Sequence, residues 1–282
     1  ANGERQPPDE TEAAKLLHLA LDLGVNFIDT ARAYGESEAI IGRVLMGRRS
    51  EFVLVSKALC YHNQGLSSAA LKERITNSAH ESLRLLQTEF IDVMMIHSAP
   101  LEVIGRGEVL SILKDLKKKG DIGCIGASVY GEESALAAIA DGGYDCLQIA
   151  YSILDRRHEA RVLQAASQAG VGLVARSVLL KGALTERSSL LPEGLSELKS
   201  SIAAMQALAV REKVSLPELA YRYVLSQPLP ESALVGAASS EELRQAVEFA
   251  DRGPLPAPLV EKIRAMSMPD AFYLDPGNWP TH

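Results

Sequence analysis

FIDTARAYGESE occupies residues 27–38. An apolar run, VNFI, ends there on Asp29, and Tyr34 follows five residues later. A core strand that stops on a carboxylate either opens a surface loop or delivers that carboxylate to a reaction centre. The flanking sequence bears on the choice. Upstream, TEAAKLLHLALDL at 11–23 places its apolar residues at helical spacing and closes on Gly24, a residue suited to the left-handed cap of a helix. The unit is therefore a helix, a tight turn and a short apolar strand.

That unit recurs. EFVLVSK stands at 51–57, and a helical stretch at 69–86 leads to IDVMMIH at 91–97. LSILKDLKKKG leads to IGCIGAS at 122–128, SALAAIADGG to DCLQIAY at 145–151, and EARVLQAASQAG to VGLVARS at 171–177. Two more helical stretches, near 197–212 and 215–226, precede SALVG at 232–236. The strands are continuous apolar runs, as parallel strands covered on both faces require. Gly120, Gly142 and Gly170 end helices as Gly24 does.

Repeated β/α units without a low-complexity linker predict a single parallel-sheet domain over 1–282, with a loop-like lead-in at 1–10 and a C-terminal segment at 252–282. No GxGxxG follows a strand, which weighs against a dinucleotide-binding doubly wound sheet and leaves a (β/α)8 TIM-type barrel. The strands fall at 25–29, 52–57, 91–96, 122–127, 145–150, 171–176 and 232–236. A closed barrel takes about eight. The expectation is a barrel lacking its first strand or truncated there, with an upstream segment supplying it, because open strand edges are costly in water.

Composition narrows the partners. The formal net charge is −7 and no long Lys/Arg run occurs, which argues against nucleic acid and anionic membrane. No apolar run reaches about 18 residues. The three cysteines, Cys60, Cys124 and Cys146, have no ligand spacing, so no metal site is expected. Cys124 and Cys146 stand in apolar runs and are expected to be buried. Their sparse, odd count suits a reducing cytoplasm.

Chemistry in such a barrel sits where strands end. Three strands end on a titratable residue, VNFID at Asp29, FVLVSK at Lys57 and DVMMIH at His97, and Tyr34 lies just beyond the first. Singly, each has a plain explanation as a solvated loop charge or an edge residue. Together they compose a proton donor. A free tyrosine has a pKa of about 10, and a neighbouring ammonium favours its phenolate and lowers that value. A carboxylate would hold the lysine, and a histidine could hold a carbonyl oxygen while the tyrosine gives it a proton. That is acid-assisted carbonyl reduction, which needs a hydride donor.

GVNFIDTARAYGESE, FVLVSK, SLRLLQTEFIDVMMIH and IGCIGAS resemble successive signatures of the aldo-keto reductases, in family order, within a resemblance running from about 11 to 250. The resemblance implies a (β/α)8 barrel that binds extended NAD(P)H without a Rossmann fold and reduces a small carbonyl substrate. It implies Tyr34 as general acid, Lys57 lowering its pKa, Asp29 holding Lys57, and His97 orienting the carbonyl.

The same resemblance assigns Ser128 and Gln148 to the nicotinamide carboxamide, although the family's next Asn is here Val129. It places Arg176, followed by Ser177, where an aromatic ring often stacks, and a guanidinium there could also bind an anionic substrate. In VGAASSEELRQAVEFA it places Gly236, Ser239 and Glu242 at the adenosine end, with Ala246 where an Asn is usual. Ser239 and Glu242 have capping-box spacing at a helix start, which serves as a plain cap or faces a phosphate. Val129 and Ala246 weaken the expected grip on NADPH and leave NADH open. Two rival readings follow from that loss. One is a non-redox lyase, isomerase or dehydratase on the same acid pair, and the other is a nucleotide- or partner-binding barrel with little turnover. Arg156 and Arg157 are expected as a surface pair, with a substrate contact as the less favoured reading, and the Trp279 tail as a cover for a barrel mouth or a neighbouring subunit.

Overall fold

The computed structural model describes residues 9–280. Residues 1–8 of the expected lead-in lie outside the described residues. Of its last two positions, Asp9 stays outside the helix as its cap, with Oδ1 accepting from the Glu12 N–H at 2.9 Å, and Glu10 opens helix α1, Glu10–Asp22.

Seven strands follow as β1 Phe27–Asp29, β2 Val53–Leu59, β3 Ile91–Ala99, β4 Ile122–Val129, β5 Cys146–Ala150, β6 Gly172–Arg176 and β7 Ser232–Ala233. They are hydrogen-bonded in chain order, and the pairs from β1 to β5 are parallel. Each lies within or overlaps an expected apolar run, and β7 is only two residues of the expected five. The intervening helices are α2 Ser37–Leu45, α3 Ser68–Leu85, α4 Leu101–Arg106, α5 Glu108–Lys119, α6 Gly131–Asp141 and α7 Val162–Ala169. After β6 come α8 Ser196–Glu212 and α9 Leu216–Leu225, and after β7 come α10 Ser240–Asp251 and α11 Ala257–Arg264.

The described chain forms two compact units, one of residues 9–149 and 160–174, the other of 150–159 and 175–280. The first holds α1 to α7 and the strands through most of β6. Its core is made of strand residues buried on both faces, among them Val55, Met94, Met95, Ile96, Ala127 and Leu147. This is why the sequence shows apolar runs and not alternation. Gly120 and Gly142 end α5 and α6 at φ of 90° and 74°, a left-handed conformation that costs glycine little. Cys124 is exposed and Cys146 half-buried, against expectation. Both stand near the entry of their strands, where the chain is still emerging from the surface, as exposed Val53 is at the start of β2.

The second unit contains the end of β6, β7 and α8 to α11. The Leu234 N–H donates to Ala175 O at 2.8 Å, joining β7 to β6. Leu198, Met205, Leu219, Val224 and Ile263 form its core. Glu159 is a polar hub there: it accepts from the Tyr151 hydroxyl at 2.5 Å, the Tyr223 hydroxyl at 2.5 Å and Arg264 Nε at 3.1 Å. Burial, reinforced by Glu159, pushes both phenols far above the ordinary tyrosine range. Arg156 is no surface residue. It is buried and donates to the carbonyls of Ile153 and Met266, both at 2.5 Å, because peptide carbonyls left inside the unit need donors. Among the described residues no helix is long and apolar enough to cross a membrane, and no group of His, Cys, Asp and Glu could hold a metal ion.

Candidate active site

The chain after β1 folds back on itself. The Thr30 N–H donates to Val55 O at 2.9 Å and the Arg32 N–H to Lys57 O at 3.3 Å, so the strand's exit stays stitched to β2. The Tyr34 N–H then donates to Ala31 O at 2.9 Å and the Ser37 N–H to Tyr34 O at 3.0 Å. This tight turn presents Tyr34 and starts α2. Glu38, in the first turn of α2, is fully buried. It accepts from Ser56 Oγ at 2.6 Å and Arg32 Nη1 at 2.8 Å. A buried carboxylate is tolerated only with such partners, and these two flank the residues of interest: Arg32 in the Tyr34 turn, Ser56 next to Lys57.

Lys57 is buried on β2. Its Nζ donates to Asp29 Oδ2 at 2.5 Å and to Thr30 O at 2.9 Å. The same Nζ lies 5.2 Å from the centre of the Tyr34 ring. The His97 ring meets Tyr34 edge-on, with centroids 5.5 Å apart and planes at 89°. Tyr34 itself is 47% exposed, so its ring is open to a reactant from one side. The four residues anticipated from the strand ends therefore lie in one cluster.

Ser128 and Gln148 are register partners on β4 and β5, and both are buried. Gln148 Nε2 donates to Asp29 Oδ1 at 2.9 Å. In the sheet order β1 and β5 stand four places apart, so within this unit the strands curl until side chains from opposite sides meet. Nothing in the sequence pattern signals that contact. The pattern holds only one hint of Glu38, an acidic residue in the first turn of a helix, where a solvated carboxylate facing the helix dipole is the usual reading.

The remaining anticipated residues belong to the other unit. Arg176 ends β6 and donates through Nη1 to Ser177 Oγ at 3.2 Å, with Ser177 at φ 61°. Gly236 precedes α10, whose cap is Ser239: its Oγ accepts from the Glu242 N–H at 3.2 Å, while Glu242 Oε2 accepts from the Ala238 N–H at 2.9 Å. The capping arrangement read from the sequence is present, displaced by one residue on the return arm. Ala246 is buried in α10. Trp279 Nε1 donates to Tyr273 O at 2.9 Å, so the tail packs on itself.

The aldo/keto reductase family model matches residues 1–267. The chain belongs to the aldo/keto reductase family. With that membership it is an NAD(P)H-dependent oxidoreductase. Aldo-keto reductase YhdN of Bacillus subtilis is 30% identical over 86% of this chain and 79% of its own. The NADH-specific methylglyoxal reductase of Escherichia coli is 28% identical over 79% and 78%. Among solved structures, the holo form of aldo-keto reductase AKR11C1 from Bacillus halodurans aligns with a TM-score of 0.78 at 28% identity, covering 95% of this chain and 91% of that one. The fold is thus the α/β barrel of this family, with seven strands among the described residues.

Proposed function

We propose that this aldo/keto reductase reduces an aldehyde or ketone with Tyr34 as the general acid. The observation that carries the assignment is the cluster itself: a buried Lys57 bound to Asp29 and standing 5.2 Å from the Tyr34 ring, which His97 meets edge-on. The Lys57 ammonium favours negative charge on the Tyr34 oxygen, which makes the phenol readier to release its proton. Asp29 keeps Lys57 charged and fixed. His97 donates a hydrogen bond to the carbonyl oxygen and orients it toward the phenol. Tyr34 then gives its proton to that oxygen as negative charge develops there.

When bound, the nicotinamide cofactor supplies the hydride. The residues present fit its carboxamide end. Gln148 commits its N–H to Asp29, which leaves Oε1 to accept from an amide, and Ser128 stands beside it. Arg176, followed by Ser177, is proposed to stack on the nicotinamide ring or to bind an anionic substrate, and Gly236, Ser239 and Glu242 to serve the phosphate and adenosine end. NADPH and NADH are both admitted. Val129 and Ala246 remove amides that would favour tight NADPH binding, and one relative is by name NADH-specific. The sparse cysteines favour a cytoplasmic enzyme.

The test is oxidation of NADPH and NADH with a carbonyl panel that includes methylglyoxal, the compound named for that relative. The expected result is turnover with at least one aldehyde or ketone, reduced at least 100-fold in Tyr34→Phe, in line with the general-acid contribution. Oxidation at full rate in the Phe variant would remove Tyr34 from the chemistry. Turnover of a substrate without added nicotinamide, also lost in that variant, would move the enzyme to a lyase or isomerase.

A further inference from the structure

The bond from Gln148 to Asp29 joins two groups that the reading above treats separately, the carboxamide contact and the proton donor. Ionised Asp29 can only accept hydrogen bonds, so the amide must turn its N–H toward it. Asp29 is then held at both oxygens, Oδ1 by Gln148 at 2.9 Å and Oδ2 by Lys57 at 2.5 Å. Gln148 is almost wholly buried, and Asp29 is half-buried, with a side-chain exposure of 14%. Hydrogen bonds to a charged group in such surroundings are among the stronger ones.

We infer that Gln148 is a positioning residue of the proton donor, fixing Asp29 on Lys57 and sharing its negative charge, and not a carboxamide contact alone. The inference rests on the reading of Tyr34 as the acid. The charged and titratable groups around this point are Asp29 on β1, Lys57 on β2, His97 on β3 and Tyr34 in the turn after β1. Arg32 is engaged by Glu38. Gln148 is the uncharged member that sets how much of the Asp29 charge opposes a phenolate on Tyr34. Without its N–H, Asp29 loses a donor that shares its charge, the carboxylate disfavours the phenolate more strongly, and Tyr34 titrates higher. A second carboxylate in its place does so further. The coupling also runs from the other side, because an amide bound at Oε1 polarises the N–H and strengthens its hold on Asp29.

The experiment is a pH titration of tyrosinate absorbance in the nucleotide-free protein, with the Tyr34 step assigned as the one missing in Tyr34→Phe. Gln148→Met keeps the volume and removes the donor, and Gln148→Glu keeps the shape and adds a charge. Both are checked by circular dichroism to be folded. The expected order is wild type lowest, Gln148→Met higher by about one pH unit and Gln148→Glu higher still, with the alkaline limb of kcat moving in the same order. A Tyr34 step that stays in place while the KM for nucleotide rises would overturn the inference and leave Gln148 a carboxamide contact. The absence of any separable Tyr34 step in the wild type would overturn it too. Failure of the reductase reading looks different, because no carbonyl would then support nucleotide oxidation by the wild type.

Discussion

The Lys57 ammonium is 2.5 Å from Asp29 Oδ2 and 5.2 Å from the centre of the Tyr34 ring, so one buried cation serves two partners of different kind. Asp29 neutralises it and Tyr34 uses its field. Removing the carboxylate alone strands a charge in a site with no exposed side-chain surface on the lysine. Asp29→Leu is therefore expected to cost about 3 kcal/mol of stability, as breaking buried pairs does. Adding Lys57→Met to Asp29→Leu should recover part of that loss, since no charge is then left unpaired, while the Gln148 N–H and the Thr30 carbonyl still lose a partner. Urea unfolding of the two single variants and the double variant measures the coupling. Strict additivity would mean that the pair is not a unit. Activity should be low in all three.

Glu38 is expected to matter as much as residues closer to the chemistry. Its carboxylate joins the turn that carries Tyr34 to the strand that carries Lys57, through Arg32 and Ser56. Glu38→Ala should destabilise by about 3 kcal/mol, because Arg32 and Ser56 both lose their acceptor. Glu38→Gln retains an acceptor for Ser56 and loses the charge toward Arg32, so its cost should be roughly half. Both should lower kcat more than they raise the KM for nucleotide, since the displaced group is the Tyr34 turn. A change in nucleotide KM with kcat intact would place the effect elsewhere.

Stability should fall on the alkaline side. Burial is the main cause that holds the phenols of Tyr151 and Tyr221 above the ordinary tyrosine range, with the carboxylates of Glu159 and Glu242 adding to it respectively. In the unfolded chain both titrate at about 10. Below that pH the two states bind the same protons and the contribution is fully present. Above it the unfolded chain releases protons that the folded one keeps, so stability declines by about 1.4 kcal/mol per pH unit for each such tyrosine. Unfolding midpoints measured from neutral pH upward should be flat and then drop. Tyr151→Phe should make the drop shallower, and an unchanged slope in that variant would show that Tyr151 titrates normally in the fold.

The parts of the fold that the sequence displayed are those governed by local rules. Continuous apolar runs such as VLVS and VMMI marked strands covered on both faces, and Gly120 and Gly142 marked helix ends. Asp29, Lys57, His97 and Tyr34 could be anticipated because each sits within the last few residues of a strand or in the turn after it, where the barrel topology gathers side chains. What stayed hidden depends on closure. The meeting of Gln148 with Asp29 spans 119 residues and four strands, and no periodicity encodes it. Arg156 misled for a related reason, since its partners are backbone carbonyls, one of them 110 residues away. Glu38 was hidden by its own type: a carboxylate at a helix start is ordinarily solvated, and only the packing of Ser56 against it shows otherwise.

Tyr144 offers a change in the opposite direction. The residue is buried at 3% exposure, and its hydroxyl has no hydrogen-bond partner among the described residues. The cost of leaving such a group unsatisfied is about 1–3 kcal/mol, set against the modest packing contributed by one oxygen. Burial also drives its phenol upward, which keeps the hydroxyl protonated through neutral pH and so in need of an acceptor. Tyr144→Phe removes the oxygen and leaves the ring in place. The variant is expected to be more stable by about 1 kcal/mol, with Tm higher by about 2–4 °C for a chain of this size, and to retain full activity, since Tyr144 precedes β5 at the strand's entry. Thermal and urea unfolding of the two proteins side by side decide it. A lower midpoint in the Phe variant would mean that an ordered water or another acceptor already satisfies the hydroxyl.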